Sequence, residues 1–403
     1  MKYIVMLGDG MADYPLENYG GRTPLEIAEI PNMDFLAQHG MCGRAQTVPD
    51  GMTPGSDTAN LAVMGYDPKI YYSGRSPLEA VSMGIELGEN DVSFRCNLVT
   101  LSDCETYEDA TMIDYSSGEI SSDDSHALIA YLNERLQAEN AELFPGISYR
   151  HCFVLRNAEV GTILTPPHDI TGQPVKDCMP KGKYGKLLHD FQRKSWEILK
   201  NAPTNLERIR QGKRPANSCW FWGEGTKPAI PTYREKFGLT GGMVSAVDLL
   251  KGLGLCAGLS APEIEGANGN YTTNFAGKAQ AAIDILKEND FVYIHVEAPD
   301  ECGHHFDAKN KIYSIEQIDK QILTPLLQYL RSCGEDFSIL LLPDHPTPAI
   351  LGRHVGEPVP FVLYRSNEEL LPHAEHYDEK HMADFAPIEG YRLMELMTQK
   401  SFA

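Results

Sequence analysis

YIVMLGDG, residues 3–10, is the stretch that decides the fold. Its five apolar residues, Tyr3 to Leu7, run without alternation, which is typical of a strand buried on both faces of a parallel sheet. Gly8-Asp9-Gly10 then breaks the strand at its carboxyl end, where ligands collect in open α/β sheets. We therefore expect an α/β fold with Asp9 at the functional edge of the sheet.

Helices and strands alternate at both ends of the sequence. An initial proline, and a glycine just past the end, predict a helix over residues 31–38. Hydrophobic periodicity late in the chain predicts helices over 274–289 and 311–332, strands over 291–296, 337–342 and 361–364, and a closing helix through Arg392 and Met397. Both ends together should build one mostly parallel sheet that is flanked by helices.

The middle of the chain has a different pattern of polar and apolar residues. Between residues 94 and 232, polar loops alternate with two helical patterns and short strand-like runs. We interpret this region as a smaller α/β domain inserted into the first one. The predicted organisation is a metal-binding core over residues 1–93 and 233–403, with a substrate-binding cap over residues 94–232.

Composition restricts the classes of partner. The 403 residues include 35 basic and 56 acidic side chains, for a net charge of -21, which argues against nucleic-acid and membrane partners. An anionic substrate would then need metal ions or clustered basic residues. The nine scattered cysteines lack a C-x-x-C pair, which favours reduced thiols and a cytoplasmic setting. The first apolar run is too short for the core of a signal peptide. The sequence does not indicate an oligomeric state.

Five short motifs carry groups that bind metal ions: Gly8-Asp9-Gly10, PGSDTAN from Pro54, Asp300-x-x-x-His304, Asp344-His345, and His354. Carboxylate oxygens and imidazole nitrogens suit Mn²⁺, Zn²⁺ or a similar divalent ion. Two such ions, roughly 3.5–4 Å apart, clamp the attacking and leaving oxygens of an in-line displacement. Each motif alone is an ordinary turn, helix start or surface pair, but their shared position after predicted strands favours one site.

Ser56 is the predicted nucleophile. It follows Pro-Gly and precedes a helical pattern that begins near Thr58, so its hydroxyl should lie where free N–H groups and the helix dipole favour phosphate. A serine hydroxyl needs a base or a metal for activation, and an ion caged by Asp9, Asp344 and His345 is the favoured activator. The alternative is a serine that only caps the helix.

At these motifs the sequence resembles the archaeal-type branch of the cofactor-independent, or 2,3-bisphosphoglycerate-independent, phosphoglycerate mutases of the alkaline phosphatase superfamily. The resemblance rests on GRTPLEIAEIPNMDFLAQHG from Gly21, PGSDTANLAVMGYDP from Pro54, GRSPLEA from Gly74, HVEAPDECGHH from His295 and LLPDHPTP from Leu341. It implies an alkaline-phosphatase-like core with an inserted cap that closes over the substrate and excludes water.

The resemblance also implies two metal-binding sets: Asp9, Ser56, Asp344 and His345 for one ion, and Asp300, His304 and His354 for the other. Mn²⁺ is the expected metal, with Zn²⁺, Co²⁺ and Mg²⁺ as alternatives. Ser56 would take the phosphoryl group from 3-phosphoglycerate, and the 2-hydroxyl of the reoriented glycerate would retrieve it. This glycolytic isomerisation would need no bisphosphoglycerate.

Charge and loop position select further residues as substrate-binding candidates: Arg95, Arg150, His151, His168, Asp169, Arg214 and Lys278. For each of them a surface salt bridge is the competing interpretation. Three other functions remain open at this point. They are a metal-dependent phosphohydrolase, a phosphotransferase acting on another small alcohol such as homoserine, and a binding protein on the same fold.

Overall fold

The computed structural model describes residues 1–137 and 139–399. The chain forms two compact units, one from Met1–Tyr72 with Ala229–Ala403 and the other from Ser73–Pro228. The second unit begins ahead of the predicted boundary at residue 94, because a helix over Ser76–Ser82 packs on the strand Val92–Leu101. Residues 400–403, the end of the predicted core, lie outside the described residues.

The strands are, in chain order, β1 Lys2–Gly8, β2 Met41–Gln46, β3 Val92–Leu101, β4 Met112–Asp114, β5 Ala141–Phe144, β6 Arg150–Leu155, β7 Thr162–Ile163, β8 Lys181–Gly182, β9 Ser218–Thr226, β10 Gly241–Val244, β11 Phe291–Val296, β12 Phe337–Leu342, β13 Val359–Arg365 and β14 Pro387–Glu389.

The α-helices are α1 Pro24–Ile27, α2 Pro31–His39, α3 Ser56–Val63, α4 Pro68–Tyr71, α5 Ser76–Ser82, α6 Ser122–Asn133, α7 Gly185–Leu199, α8 Pro203–Arg210, α9 Tyr233–Phe237, α10 Asp248–Cys256, α11 Phe275–Glu288, α12 Ala298–His304, α13 Ala308–Gln317, α14 Thr324–Ser332 and α15 Leu393–Thr398. Short 3₁₀ turns cover Glu17–Tyr19, Tyr107–Asp109, Pro167–Ile170, Val175–Cys178 and Gly390–Arg392, and a π-helical segment covers Ile318–Leu323.

The first unit is built on a seven-stranded sheet in the order β10-β11-β1-β12-β13-β2-β14. Strands β10, β11, β1 and β12 are parallel neighbours, whereas β13 runs antiparallel to both β12 and β2. The predicted mostly parallel α/β sheet is confirmed. Its apolar strands are buried among helices, and the core includes Ile4, Ile294 and Leu341 at 0% exposure.

The second unit has an antiparallel sheet instead. Strand β3 lies at its centre and pairs antiparallel with β4, β6 and β9. Helices α6 and α7 cover this sheet around a separate core that includes Phe94, Leu128 and Phe153. In the part of the chain that the structure describes, no helix has both the length and the apolar character needed to cross a lipid bilayer.

One predicted helix differs from the observed structure. The pattern over 311–332 predicts a single long helix, but the π-helical segment Ile318–Leu323 interrupts it between α13 and α14. Pro325 stands in the first turn of α14 and has no N–H to donate to the preceding turn. The widened backbone turn before this proline accommodates the missing hydrogen bond.

Candidate functional site

Three adjacent parallel strands position the acidic residues of the site. Strand β1 lies between β11 and β12, and all three end at the same edge of the sheet. Asp9 follows β1, Asp300 lies in α12 just after β11, and Asp344 follows β12. The three carboxylates are nearly or completely buried, at 1%, 4% and 0% exposure respectively. The topology therefore gathers negative charge at one buried place.

Ser56 is the first residue of α3. Gly55 occupies the capping position before the helix, and because glycine has no side chain, α3 has no side-chain cap. The Ser56 hydroxyl points to the acidic site: its Oγ lies 3.4 Å from Oδ2 of Asp9 and 3.3 Å from Nε2 of His345. The structure thus brings Ser56 together with three of its predicted neighbours, since His345 Nε2 also lies 3.5 Å from Oδ2 of Asp344.

Asp300, His304 and His354 form a second cluster. His304 Nε2 lies 3.2 Å from Oδ2 of Asp300, and His354 Nε2 lies 3.3 Å from Oδ1 of the same carboxylate. The two imidazole nitrogens are 2.9 Å apart, and His304 Nδ1 donates to the carbonyl of Gly352. One ligand atom from each of the three residues falls within 4.8 Å of the others, so the three side chains could hold a single metal ion.

The pKa values of Asp9 and Asp300, one from each cluster, are strongly shifted. Burial, together with the carboxylates of Asp344 and Asp300, raises the pKa of Asp9 well above its usual range. Burial alone would also raise the pKa of Asp300, but its hydrogen bonds with His304 and His354 hold that pKa well below the usual range. Oδ1 of Asp9 is buried without a hydrogen-bond partner among the described residues.

Sequence reasoning missed three polar residues of this site. His295, in β11, places Nε2 2.9 Å from Oδ2 of Asp9. Asn60 donates from Nδ2 both to the carbonyl of Ser56 and to Oδ2 of Asp344. Thr347 binds the carboxylate of Asp300 through its hydroxyl. His295 could have been found as a titratable residue inside an apolar strand. Asn60 and Thr347 could have been found as polar members of the motifs PGSDTAN and LLPDHPTP.

Four of the predicted substrate-binding residues lie close together within the second unit. The guanidinium of Arg95 lies 4.1 Å from the ring centroid of Trp222. The ring centroids of His168 and Trp222 are 5.2 Å apart. Arg150 begins β6 and is exposed, as is Asp169, whose Oδ1 lies 3.7 Å from Nε2 of His168.

Glu79 organises the arginines of this group. Its Oε2 lies 2.9 Å from Nε of Arg95, and its Oε1 lies 3.0 Å from Nε of Arg75. Burial raises the pKa of Glu79, but the guanidinium groups of Arg95 and Arg75 bring it below the ordinary value. The ionised carboxylate therefore holds two cations beside each other.

The other three substrate-binding candidates are engaged elsewhere. His151 is buried in the second unit, where Nδ1 accepts from the N–H of Gly146. Arg214 pairs with Asp114 through Nη1. Lys278, in the first unit, is fully buried and donates from Nζ to the carbonyl of His295 at 3.0 Å.

Known proteins resemble the chain over nearly its whole length. The family model for 2,3-bisphosphoglycerate-independent phosphoglycerate mutase matches residues 37–205. A protein of that name from Methanosarcina barkeri is 48% identical over 381 residues, which cover 94% of each chain.

Two solved structures are also similar to the chain over nearly its whole length. One, from Pyrococcus horikoshii, has a TM-score of 0.83 at 27% identity and covers 100% of this chain and 99% of that one. The other, a cofactor-independent phosphoglycerate mutase from Thermoplasma acidophilum, has a TM-score of 0.66 at 25% identity over 99% of both chains. The family predicted from the motifs is confirmed. The chain belongs to the 2,3-bisphosphoglycerate-independent phosphoglycerate mutases.

Proposed function

We propose that the chain interconverts 3-phosphoglycerate and 2-phosphoglycerate without bisphosphoglycerate, with Ser56 carrying the phosphoryl group between the two substrate oxygens. One observation carries the proposal: the Ser56 hydroxyl lies at the start of α3, within 3.4 Å of both Asp9 and His345. The names of the similar proteins supply the substrate. A phosphoserine makes added bisphosphoglycerate unnecessary, because the enzyme itself stores the phosphoryl group between the two half-reactions.

Two divalent cations belong to the same proposal. The first would be held by Asp9, Ser56, Asp344 and His345, and the second by Asp300, His304 and His354. The residues fit such ions, because three carboxylates are buried together and Oδ1 of Asp9 has no hydrogen-bond partner among the described residues. The oxygen and nitrogen donors favour Mn²⁺, with Zn²⁺, Co²⁺ and Mg²⁺ as alternatives. When bound, the ions would neutralise phosphoryl oxygens and favour the ionised Ser56 hydroxyl.

The chain's own residues position the nucleophile. Asn60 Nδ2 donates at 2.9 Å to the Ser56 carbonyl and at 2.8 Å to Oδ2 of Asp344, and the hydroxyl of Tyr293 donates to Oδ1 of Asn60. These bonds fix the first turn of α3 against the end of β12. The positive end of the α3 dipole then favours the negative charge that a phosphoryl group brings to Ser56.

The chemistry consists of two opposite displacements. Attack of Ser56 Oγ on phosphorus breaks the bond to the glycerate 3-oxygen, which receives a proton. After the glycerate reorients, attack of its 2-oxygen on phosphorus breaks the bond to Ser56 Oγ and gives 2-phosphoglycerate. Positioning and charge neutralisation supply most of the catalysis in such a transfer.

We assign substrate binding to the second unit. The support is its group of cations: Glu79 holds Arg75 and Arg95 side by side, and Arg150 is exposed nearby on β6. Guanidinium groups bind carboxylates and phosphates in a planar, bidentate geometry.

A cytoplasmic location completes the proposal. All nine cysteines are free, and five of them are buried. Unpaired cysteines in this number are typical of a reducing compartment.

Phosphorus NMR tests the proposed reaction. Metal-reconstituted protein is incubated with 3-phosphoglycerate in the absence of bisphosphoglycerate, and 2-phosphoglycerate and inorganic phosphate are followed together. We expect 2-phosphoglycerate to accumulate to equilibrium with little free phosphate. Ser56→Ala should be inactive, whereas the control Ser121→Ala, which removes the serine that caps the start of α6, should remain active.

The same experiment separates the competing functions. Free phosphate as the main product would identify a phosphohydrolase and contradict the mutase. No product with Mn²⁺, Co²⁺, Zn²⁺ or Mg²⁺ would also contradict it and would favour another acceptor alcohol, such as homoserine, or a binding role.

A further inference from the structure

The hydroxyl of Thr347 touches both groups of proposed metal ligands at once. Its Oγ1 donates a hydrogen bond to Oδ1 of Asp300 and lies 3.2 Å from Nδ1 of His345. Asp300 belongs to one ligand set and His345 to the other. Thr347 itself is completely buried, so water does not compete for these contacts.

We propose that Thr347 is a positioning residue that joins the two ligand sets and selects the tautomer of His345. This inference rests on the proposed function, because it concerns ligands of the proposed metal ions. Thr347 would act through Asp300 and His345, the two side chains that its hydroxyl contacts.

The tautomer follows from the donors and acceptors. An ionised carboxylate only accepts hydrogen bonds, so the single proton of the Thr347 hydroxyl goes to Asp300. The hydroxyl oxygen must then accept from His345, which requires the proton of the neutral imidazole to be on Nδ1. Nε2 is therefore the unprotonated nitrogen, and it is the atom that lies 3.3 Å from Oγ of Ser56. A metal ion binds imidazole through such an unprotonated nitrogen.

The backbone of Thr347 is fixed on both sides of this hydroxyl. Its N–H donates to the carbonyl of Ala12 at 3.2 Å, and its carbonyl accepts from Nζ of Lys311 at 2.8 Å. Lys311 also donates to Oδ2 of Asp13 at 2.6 Å and to the carbonyl of Ala12 at 3.3 Å. The three donors of this fully buried ammonium are thus all used, and they tie Thr347 to the segment that follows Asp9.

Two glycines allow the surrounding chain to approach Thr347. Gly10 has a φ of +63°, and a Cβ at this position would lie 2.7 Å from Oγ1 of Thr347 and 2.8 Å from Oδ1 of Asp300. A Cβ on Gly303 would lie 2.4 Å from the carbonyl oxygen of Thr347. Glycine in both motifs is therefore explained by the space that Thr347 and its contacts occupy.

Loss of the hydroxyl should weaken metal binding more than it weakens the fold. Thr347→Val keeps the side-chain shape but cannot donate to Asp300 or accept from His345, so the imidazole loses its fixed tautomer. Partners that orient metal ligands typically contribute about 10–100-fold in metal affinity or activity. Thr347→Ser keeps the hydroxyl and should keep most of that affinity.

The test uses the full chain and Mn²⁺ alone as the probe. Calorimetric titration of metal-free protein measures Mn²⁺ stoichiometry and affinity for wild type, Thr347→Val and Thr347→Ser, and turnover of 3-phosphoglycerate is measured in parallel. The matched control is Thr100→Val, which removes another buried threonine hydroxyl, one that donates to the carbonyl of Pro215 in the second unit. Thermal unfolding without metal establishes that each variant is folded.

We expect Thr347→Val to bind Mn²⁺ at least about tenfold more weakly, with a lower kcat, and Thr347→Ser to remain within a few-fold of wild type. Wild-type affinity and kcat in folded Thr347→Val would overturn the inference while leaving the proposed function intact. Equal losses in the valine and serine variants would overturn it too, because the hydroxyl would then not be the determinant. A wild-type protein that binds no Mn²⁺, Zn²⁺, Co²⁺ or Mg²⁺ would instead contradict the proposed metal site itself.

Discussion

Nε2 of His295 lies 2.9 Å from Oδ2 of Asp9, and both side chains are buried. The other ring nitrogen, Nδ1, lies 3.2 Å from Oγ of Ser245. With Ser245 donating to Nδ1, the proton of the neutral ring is on Nε2 and is donated to Asp9. His295 thus occupies one oxygen of Asp9 and leaves Oδ1, the unpartnered atom, to face a cation.

Replacing His295 by leucine should therefore affect both stability and turnover. Loss of a hydrogen bond to a buried carboxylate costs about 1–3 kcal/mol, and we expect this decrease in the unfolding free energy of the metal-free protein. Turnover should fall at least about tenfold, since Asp9 would lose its orientation. Denaturant unfolding and steady-state kinetics measure the two effects. His305→Leu, at an exposed histidine, is the control, and indistinguishable His295→Leu and control proteins would refute the assigned role.

His151 should make stability depend on pH in acid. Burial lowers its pKa from 6.5 to about 3, so the unfolded state binds a proton between these values that the folded state does not. Stability is therefore fully present above about pH 6.5 and falls as the pH decreases towards 3, by on the order of 4 kcal/mol from this residue. Urea unfolding from pH 7 to 4 should show a shallower pH dependence for His151→Asn than for wild type. Parallel curves for the two proteins would contradict a buried neutral imidazole.

The Lys311–Asp13 pair should be costly to break. Both side chains are fully buried, and the Nζ to Oδ2 distance is 2.6 Å. Lys311→Met leaves Asp13 without its cation, and removal of one partner from a buried pair costs about 3–5 kcal/mol. The exposed pair of Lys183 and Glu159 provides the control, because Lys183→Met should cost less than about 1 kcal/mol. Equal losses in the two variants, measured by chemical unfolding, would disprove the buried arrangement.

Glu79→Gln tests the arginine group of the second unit. Without the carboxylate, Arg75 and Arg95 repel each other and lose their common acceptor, so we expect KM for 3-phosphoglycerate to rise by about tenfold, equivalent to about 1.4 kcal/mol. Stability should fall by about 2 kcal/mol because Arg95 is buried. The control is Glu134→Gln in an exposed pair with Arg135. An unchanged KM in folded Glu79→Gln would remove the support for substrate binding by these arginines.

The sheet of the first unit was predictable because its strands are continuous apolar runs. Strands β11 and β12 begin and end at the predicted residues, 291–296 and 337–342. The same runs located the site, since Asp300 and Asp344 come directly after them. Ser56 was recognisable from the helix pattern that follows it, although distances to Asp9 and His345 depend on tertiary packing.

Other elements gave no local signal. Strand β10 contains Gly241 and Gly242, and adjacent glycines in a sequence indicate a turn. Both are needed here for close packing, because a Cβ on Gly241 would collide with Phe291 and a Cβ on Gly242 would collide with Ile285. Strand β3 carries Arg95 and Asn97 within ten buried residues, so it lacks the apolar run of a central strand. His295 was hidden inside an apolar strand, where its neighbour Asp9 comes from the opposite end of the chain.

The most direct test of the account is detection of the phosphoryl group on Ser56. Metal-loaded protein is mixed with 3-phosphoglycerate, quenched in acid within milliseconds to seconds, digested and analysed by mass spectrometry. We predict a phosphorylated peptide at Ser56 that forms and decays within turnover and is absent from Ser56→Ala, which should nevertheless retain most of its metal. Mutase turnover without phosphorylation of Ser56, or appreciable mutase activity in Ser56→Ala, would contradict the account.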